Sequence, residues 1–278
     1  MQIDIPMFKE TSLRIAEGAA DRKDYATSSL QKGLLIIHNG ANLAMEAVGF
    51  GVPVIKLGLR TVFPGSVKLA LSQKGPVWRV TGSYTLNLEE KISRPGSRNV
   101  KSAPVYAAKN TLAALIRGFP PARRLLTALS SALRWVFHLE TIYEDAGYSA
   151  KVEMLYIIDT QKGQLRVEVD LSHLADDKIT EIIVMNEQGA RHFDEYRDSS
   201  GLLLRGDRIG CWNEVSADTA TFVSVDCGLQ YTLDRIKDAT LFRGRELIGS
   251  RLAWSGFGYS FPPAVKKAGY NLVIEGLQ

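Results

Sequence analysis

The chain has 278 residues, of which 45% are hydrophobic and 23% are charged, a composition typical of globular proteins. Its formal net charge of +4 is small, and basic residues alternate with acidic ones over most of the sequence, so we expect no nucleic-acid partner. The sequence is polar directly after Met1, and no window reaches the roughly 20 apolar residues of a membrane-spanning helix. We therefore expect a cytoplasmic protein without a signal peptide or a transmembrane helix.

The first third of the sequence predicts short strands separated by tight turns. Residues 1–30 are polar and irregular, which indicates an extended or looped arm with a short strand at 13–15. The apolar run at 33–38 ends in Asn39-Gly40, a dipeptide that favours hairpin turns because both residues tolerate positive φ. Between 77 and 92, apolar and polar residues alternate with the period of two that is typical of a strand.

The hydrophobic period changes to that of a helix between residues 103 and 135. Apolar residues recur there at helical spacing, and Phe119-Pro120-Pro121 separates two helices, with a proline suited to the first turn of the second. This helical pair carries Arg117, Arg123 and Arg124 and contains no acidic residue. Such a pair either packs on its own domain and exposes its arginines to water, or docks to an acidic partner or an anionic membrane surface.

The second half of the sequence predicts one strand after another, separated by turn residues every 8–12 residues or so, and residues 165–171 alternate most regularly. This spacing is typical of a β-sandwich. We predict a mostly β protein, a large antiparallel β-sandwich formed by a single domain of residues 1–278, with the helical pair inserted at about 103–135. The alternative has three parts: a small β region at 1–100, a helical linker at 103–135 and a β-sandwich at 150–278.

A sandwich of this size resembles, in architecture alone, the supersandwich domains of aldose mutarotases and some polysaccharide lyases. No residue motif of those families is present. The resemblance therefore implies a supersandwich-like fold and carbohydrate as a ligand class, and it assigns no functional residue.

The sequence lacks the short motifs that mark nucleotide, redox and zinc chemistry. No P-loop, no GxGxxG after a strand, no HExxH and no GxSxG occurs. The four histidines are not spaced as a local metal site. Cys211 and Cys227 form no CxxC pair and read as reduced, mostly buried thiols, with a disulfide between neighbouring strands as the alternative. We therefore predict no cofactor and no metal.

The surroundings of His192 suggest acid–base chemistry. If residues 191–196 form a strand, then His192, Asp194 and Tyr196 share one of its faces. Such a face suits general acid–base work on a hydroxylated substrate, because histidine titrates near neutral pH and an aspartate can orient it. The alternative is a solvated sheet face beside a buried Phe193.

A second candidate site lies near the C-terminus, where aromatic residues are separated by glycines and serines. Aromatic rings bind sugar rings well, and arginine can reach the hydroxyl or carboxylate groups of a sugar. The alternative is a structural aromatic corner that ends the sandwich. The predicted binding residues are Arg251, Trp254, Phe257 and Tyr259, together with Trp212 and Glu214.

These patterns leave two functional hypotheses. The first is a carbohydrate-binding or carbohydrate-active β-sandwich, with lyase-like, epimerase-like or hydrolase-like acid–base chemistry on a sugar. It requires the two candidate sites to meet in one cleft. The second is a non-catalytic protein that docks to a partner or an anionic membrane surface through Arg117, Arg123 and Arg124. It requires an exposed apolar stripe with these arginines beside it. The sequence names no substrate and no oligomeric state.

Overall fold

The structure, a computed structural model, describes residues 1–19, 30–93, 140–174, 178–248 and 252–277. This part of the chain is almost entirely antiparallel β-structure, and its helical content is one 3-10 turn at Gly206–Arg208. The prediction of a mostly β, antiparallel protein is therefore confirmed. The strands are β1 (Gln2–Pro6), β2 (Thr11–Ala16), β3 (Gly18–Ala19), β4 (Leu35–His38), β5 (Ala41–Asn42), β6 (Phe50–Leu57), β7 (Arg60–Lys74), β8 (Val77–Ser93), β9 (Glu140–Asp159), β10 (Gln164–Asp170), β11 (Glu181–Gly189), β12 (Glu195–Asp198), β13 (Leu203–Arg205), β14 (Asn213–Glu214), β15 (Thr219–Ser224), β16 (Leu229–Asp234), β17 (Thr240–Ile248), β18 (Leu252–Phe261) and β19 (Lys267–Gly276).

The predicted helical pair at 103–135, with Arg117, Arg123 and Arg124, lies outside the described residues. The division of the chain into one domain or several stays a prediction. No helix within the described ranges is long and apolar enough to cross a membrane.

The strands form two sheets. A small sheet has the order β1-β2-β4-β5. A large fifteen-stranded sheet has the order β13-β12-β15-β16-β19-β10-β9-β8-β7-β6-β11-β18-β17-β14, with β3 paired to β7. Its two longest strands, β8 and β9, pair with each other and shift register between Leu86 and Leu88, an irregularity of the kind that bends a sheet.

The short strand predicted at 13–15 is confirmed as part of β2. The irregular arm predicted around it is wrong at 2–16, because β1 and β2 form a regular hairpin. Ile3 pairs with Ile15 and Ile5 pairs with Leu13, and all four side chains are buried. Each of the two short segments alternates apolar and polar residues, so each buries one face. Both segments are short and about half of their residues are polar, so the overall composition of this region resembles that of a loop.

The two halves of the large sheet pack face to face around an aromatic core. Phe257 on β18 lies 4.8 Å from Phe222 on β15, between ring centroids, and Tyr259 on β18 lies 4.5 Å from Tyr270 on β19. The Tyr231 hydroxyl on β16 donates to the carbonyl oxygen of Ser255 across this interface at 3.0 Å. The β11-β18-β17 side and the β15-β16-β19 side are therefore the two layers of a sandwich.

A buried glutamine joins the small sheet to the large one. Gln188 at the end of β11 is fully buried, and its Oε1 accepts a hydrogen bond from the backbone N–H of Ile36 at 3.2 Å. Its Nε2 donates to the carbonyl oxygen of Leu34, also at 3.2 Å. The side-chain amide thus adds two hydrogen bonds to a backbone segment that also pairs with Phe50 through Leu34.

A second buried amide fixes the start of β6. Asn186 Oδ1 accepts hydrogen bonds from the backbone N–H of Gly51 at 3.1 Å and from the Tyr270 hydroxyl at 2.7 Å. The Tyr156 hydroxyl donates to the Gly51 carbonyl oxygen at 2.7 Å and lies 2.8 Å from the Tyr84 hydroxyl. Gly51 has a φ of +74° and a Cβ there would collide with the Tyr156 ring, so this position requires glycine.

This close approach predicts a large cost for a single methyl group. We expect Gly51→Ala to lower the free energy of unfolding by about 3 kcal/mol or more, since it adds a clash in the core to left-handed backbone strain. The matched control is Gly75→Ala in the turn before β8. Gly75 also has positive φ, but nothing lies within 4 Å of its added Cβ, so strain alone should cost about 1 kcal/mol. Urea unfolding of both variants measures the difference, and equal losses would contradict the role given to Tyr156.

Candidate functional site

The alternation of β18 divides the predicted aromatic site between two faces of the sheet. Phe257 and Tyr259 point into the sandwich and are fully buried, and the Tyr259 hydroxyl donates to the carbonyl oxygen of Asp234. They belong to the core. Trp254 points to the opposite, outer face, with 9% of its surface exposed. Arg251 lies outside the described residues.

The two tryptophans of the sequence prediction meet on this outer face. Trp212 stacks on Trp254 with ring centroids 5.0 Å apart and planes 27° apart. Glycines in β17 and β18 make room for the rings: a Cβ on Gly258 would lie 2.6 Å from Trp212 Cζ3, and a Cβ on Gly244 would lie 2.6 Å from Trp254 Cη2. The two indoles therefore rest against backbone that carries no side chains.

Trp212 has an unusual backbone for a residue of its size. Its φ is +53°, the left-handed region that a bulky side chain seldom adopts. Residues held in such a conformation are enriched at functional sites, because the surrounding structure must compensate for the strain. The Trp212 ring is held by its stack on Trp254 and by its position directly over Gly258.

Carboxylates flank the tryptophan pair on the same face. Glu246 pairs with Trp254 across β17 and β18, and its Oε2 accepts a hydrogen bond from the Trp254 indole N–H at 3.3 Å. Glu214 follows Trp212 by two residues, pairs with Phe242 in β17 and is exposed. We name Trp212, Glu214, Glu246 and Trp254 the outer platform.

A cleft of about 530 Å³ opens beside the outer platform, and Glu214 belongs to both. The cleft lies between the β14–β15 and β16–β17 connections, and the ion pair between Asp218 and Arg235, at 3.2 Å, crosses it. Its volume falls in the range of small-ligand pockets. The lining residues are Glu214, Val215, Ser216, Asp218, Arg235, Ile236, Lys237, Ala239, Thr240 and Leu241.

A buried carboxyl group that no sequence motif marks lies on β11, on the same face of the sheet as Trp254. Glu187 is 3% exposed, and its Oε2 accepts a hydrogen bond from the Val48 backbone N–H at 3.4 Å. Its Oε1 has no hydrogen-bond partner within the described part of the chain. Burial raises the pKa of Glu187 to about 7; the Val48 hydrogen bond and the charge of Lys32 oppose this shift, and Glu246 adds to it.

Lys32 lies in the same environment. Its Nζ donates to the carbonyl oxygens of Ala47 at 2.8 Å and Glu46 at 3.2 Å, which fixes the segment that covers Glu187. Burial lowers the pKa of Lys32. The sequence signal for this cluster is the polar run Asn186-Glu187-Gln188, which directly follows an apolar strand segment. All three residues are buried in the structure.

The predicted catalytic residues do not share a strand face. The strand expected at 191–196 begins only at Glu195, because the backbone N–H groups of His192 and Phe193 both donate to the Gly189 carbonyl oxygen and close a turn. Asp194 is therefore exposed in a loop. His192 lies three positions after Gly189, the residue that pairs with Trp254. Its ring contacts Cys227 in the turn between β15 and β16.

Tyr196 lies in the core. Its side chain is fully buried, its hydroxyl donates to Asp198 Oδ2 at 2.8 Å, and the Arg243 guanidinium lies 4.6 Å from its ring centroid. Burial, with the Asp198 hydrogen bond, raises the pKa of Tyr196. The catalytic assignment of His192, Asp194 and Tyr196 stays a prediction. No group of three metal-binding side chains is found within the described ranges.

The comparisons with known proteins give a fold and no family. No family model and no curated protein matches the sequence. The α-N-acetylgalactosaminidase NagBb from Bifidobacterium bifidum, in complex with GalNAc, has a similar structure, with a TM-score of 0.53 at 11% identity over 99% of this chain and 36% of that one. Its complex with Gal-NHAc-DNJ gives a TM-score of 0.52 at the same identity and coverage. The chain thus spans about a third of the length of that enzyme, and the likeness shows the all-β fold alone.

The raised pKa of Glu187 predicts how stability depends on pH. A folded-state pKa near 7 against 4.5 in the unfolded chain means that the folded protein binds the proton more tightly, so stability falls as the pH rises between these values. We expect Glu187→Gln, which keeps the shape and cannot ionise, to match the wild type near pH 4. By pH 8 it should be more stable by about 3 kcal/mol.

Urea unfolding of both proteins across this pH range measures the effect, with Glu153→Gln as the control for loss of an exposed carboxyl on β9. The control should follow the wild type at every pH. A constant difference between Glu187→Gln and the wild type from pH 4 to 8 would show that the pKa of Glu187 is the same in the folded and unfolded protein, which would contradict the raised pKa.

Proposed function

We propose that this chain is a supersandwich-like module of a carbohydrate-active protein and that it binds a sugar on the outer platform. The observation that carries the proposal is the stack of Trp212 on Trp254, on a strip of sheet whose glycines leave the rings room, with carboxylates beside it. The fold similarity to a glycosidase supports the ligand class, since that protein holds GalNAc in its complex.

The chemistry of the outer platform suits a sugar. The C–H faces of a pyranose pack well against an indole, and the contact needs no charge on the ligand. Glu214 is exposed. Its carboxylate is able to accept hydrogen bonds from the hydroxyl groups of a sugar that lies over the tryptophan pair. The cleft beside Glu214 provides room for a ligand that extends beyond one ring.

Binding, and not catalysis, is the activity that this geometry supports. Glu187 has the raised pKa of a proton donor, but it is 3% exposed and lies beneath the backbone of Val48. A general acid must come within hydrogen-bond reach of the atom it protonates. Glu214 and Glu246 are therefore the carboxylates that contact the bound sugar in this proposal.

The proposal predicts that removal of the outer tryptophan weakens sugar binding. We expect Trp212→Ala to raise the dissociation constant by roughly tenfold or more, because loss of one stacking contact costs about 1.4 kcal/mol. Isothermal titration with N-acetylgalactosamine, galactose and mannose measures binding by the whole chain.

The control is Trp78→Ala. Trp78 is also partly buried, but it lies on β8 and packs against the core. Circular dichroism checks that both variants are folded at the assay temperature. Unchanged affinity in Trp212→Ala, or tenfold weakening in both variants, would overturn the assignment of the site. Absence of binding to any sugar by the wild type would overturn the proposed function.

A further inference from the structure

His192, which the proposed sugar site does not use, faces a cysteine. Its ring atom Nδ1 lies 3.8 Å from Cys227 Sγ. Cys227 belongs to the turn between β15 and β16, and His192 belongs to the turn after β11, so the pair bridges the two layers at one end of the sandwich. Both side chains are partly exposed, which leaves the sulfur open to a small reagent.

Both turns are held by the structure around them. Phe193, next to His192, is fully buried, and its ring packs edge-on against Tyr231 on β16 with centroids 5.0 Å apart. On the other side, the backbone N–H of Cys227 donates to Ser224 Oγ at 3.4 Å, and that of Leu277 donates to the Gly228 carbonyl oxygen at 2.8 Å. The approach of imidazole and thiol is therefore built into the two layers.

We infer that Cys227 and His192 form a thiol–imidazole pair in which the imidazole acts as a base, so that Cys227 is a reactive thiol and a site of covalent modification by small disulfides. A thiolate, and not a thiol, attacks sulfur, and a base in contact with the thiol supplies it. The pair uses no residue of the outer platform, so its test is independent of the proposed function.

The exchange step balances within this pair and one disulfide. The Cys227 S–H proton moves to His192 Nδ1, and the sulfur attacks one sulfur atom of the disulfide. A new S–S bond to Cys227 forms as the disulfide bond breaks, and the thiolate that leaves takes the proton from the imidazolium. No electron donor or acceptor beyond the disulfide is needed.

The surroundings of His192 favour the neutral imidazole, the form that can accept a proton. Burial lowers the pKa of His192 and is the largest influence. The negative charge of Asp226 opposes this shift, and the positive charge of Arg191 adds to it. Asp226 lies beside Cys227 in the chain, so it is placed to stabilise the imidazolium that the proton transfer creates.

The test uses a protein whose single remaining cysteine is Cys227. In a Cys211→Ser background, the rate of reaction with an aromatic disulfide is followed by absorbance between pH 5.5 and 8.5. We expect His192→Gln to slow the reaction at pH 7 by about tenfold or more, since a positioned general base contributes roughly 100-fold to 10,000-fold. The rate should also lose its dependence on the titration of the imidazole.

His173→Gln is the matched control, since His173 is exposed in the loop after β10 and its loss should leave the rate unchanged. In concentrated guanidinium chloride all three proteins should react at one rate, which separates the effect of the pair from that of the thiol itself. Equal rates in the folded wild-type background and in His192→Gln would overturn the inference. Equal slowing by both histidine substitutions would overturn it as well.

Discussion

Hydrogen bonds from two buried amide side chains of β11 fix the segment of chain that runs from the small sheet into the large one. The segment from Leu34 to Gly51 leaves one sheet and enters the other, and its buried N–H and C=O groups cannot all find a strand to pair with. Gln188 pairs with the backbone of Leu34 and Ile36, and Asn186 pairs with Gly51. An unpaired buried amide costs roughly 1–3 kcal/mol in proteins, so polar side chains are required at a point where an apolar strand would otherwise continue.

The same run of residues explains the raised pKa of Glu187, which lies between the two amides in the sequence. Because side chains alternate along β11, Asn186 and Gln188 turn inward and Glu187 turns outward. Glu187 then lies under the segment that the amides have fixed, where Val48 donates the hydrogen bond to its side chain. The backbone N–H of Glu187 itself pairs with the carbonyl oxygen of Gly49. Its raised pKa is thus a consequence of the junction and needs no ligand to account for it.

The sequence predicts the class of the fold well, because alternation with a period of two is a local property. Residues 165–171 form β10 almost as expected. The turn that contains His192 was not predictable in the same way, because polar alternation looks alike in a strand and in a loop, and hydrogen bonds to Gly189 decide between them. The local sequence indicates Trp212 and Trp254 separately. Their contact depends on the register in which β14, β17 and β18 pair, and no local pattern predicts that register. Glu187 was missed because burial of a carboxyl group is visible only after folding.

The glycines of the outer face help to decide whether the tryptophan pair is only structural or forms a binding surface. Glycine in the middle of a strand is unfavourable, and a sheet that needs only to cover its face would carry branched aliphatic side chains there. Here Gly244, Gly256 and Gly258 lie in adjacent paired positions of β17 and β18. The space at Gly244 and Gly258 is occupied by two indoles, one of which, Trp212, has a left-handed backbone conformation, whereas a Cβ on Gly256 would meet the backbone of Asn186. Two separate conformational costs, glycine within strands and left-handed backbone at Trp212, are therefore associated with aromatic rings on the outer face, which supports a surface that packs against the C–H face of a sugar ring.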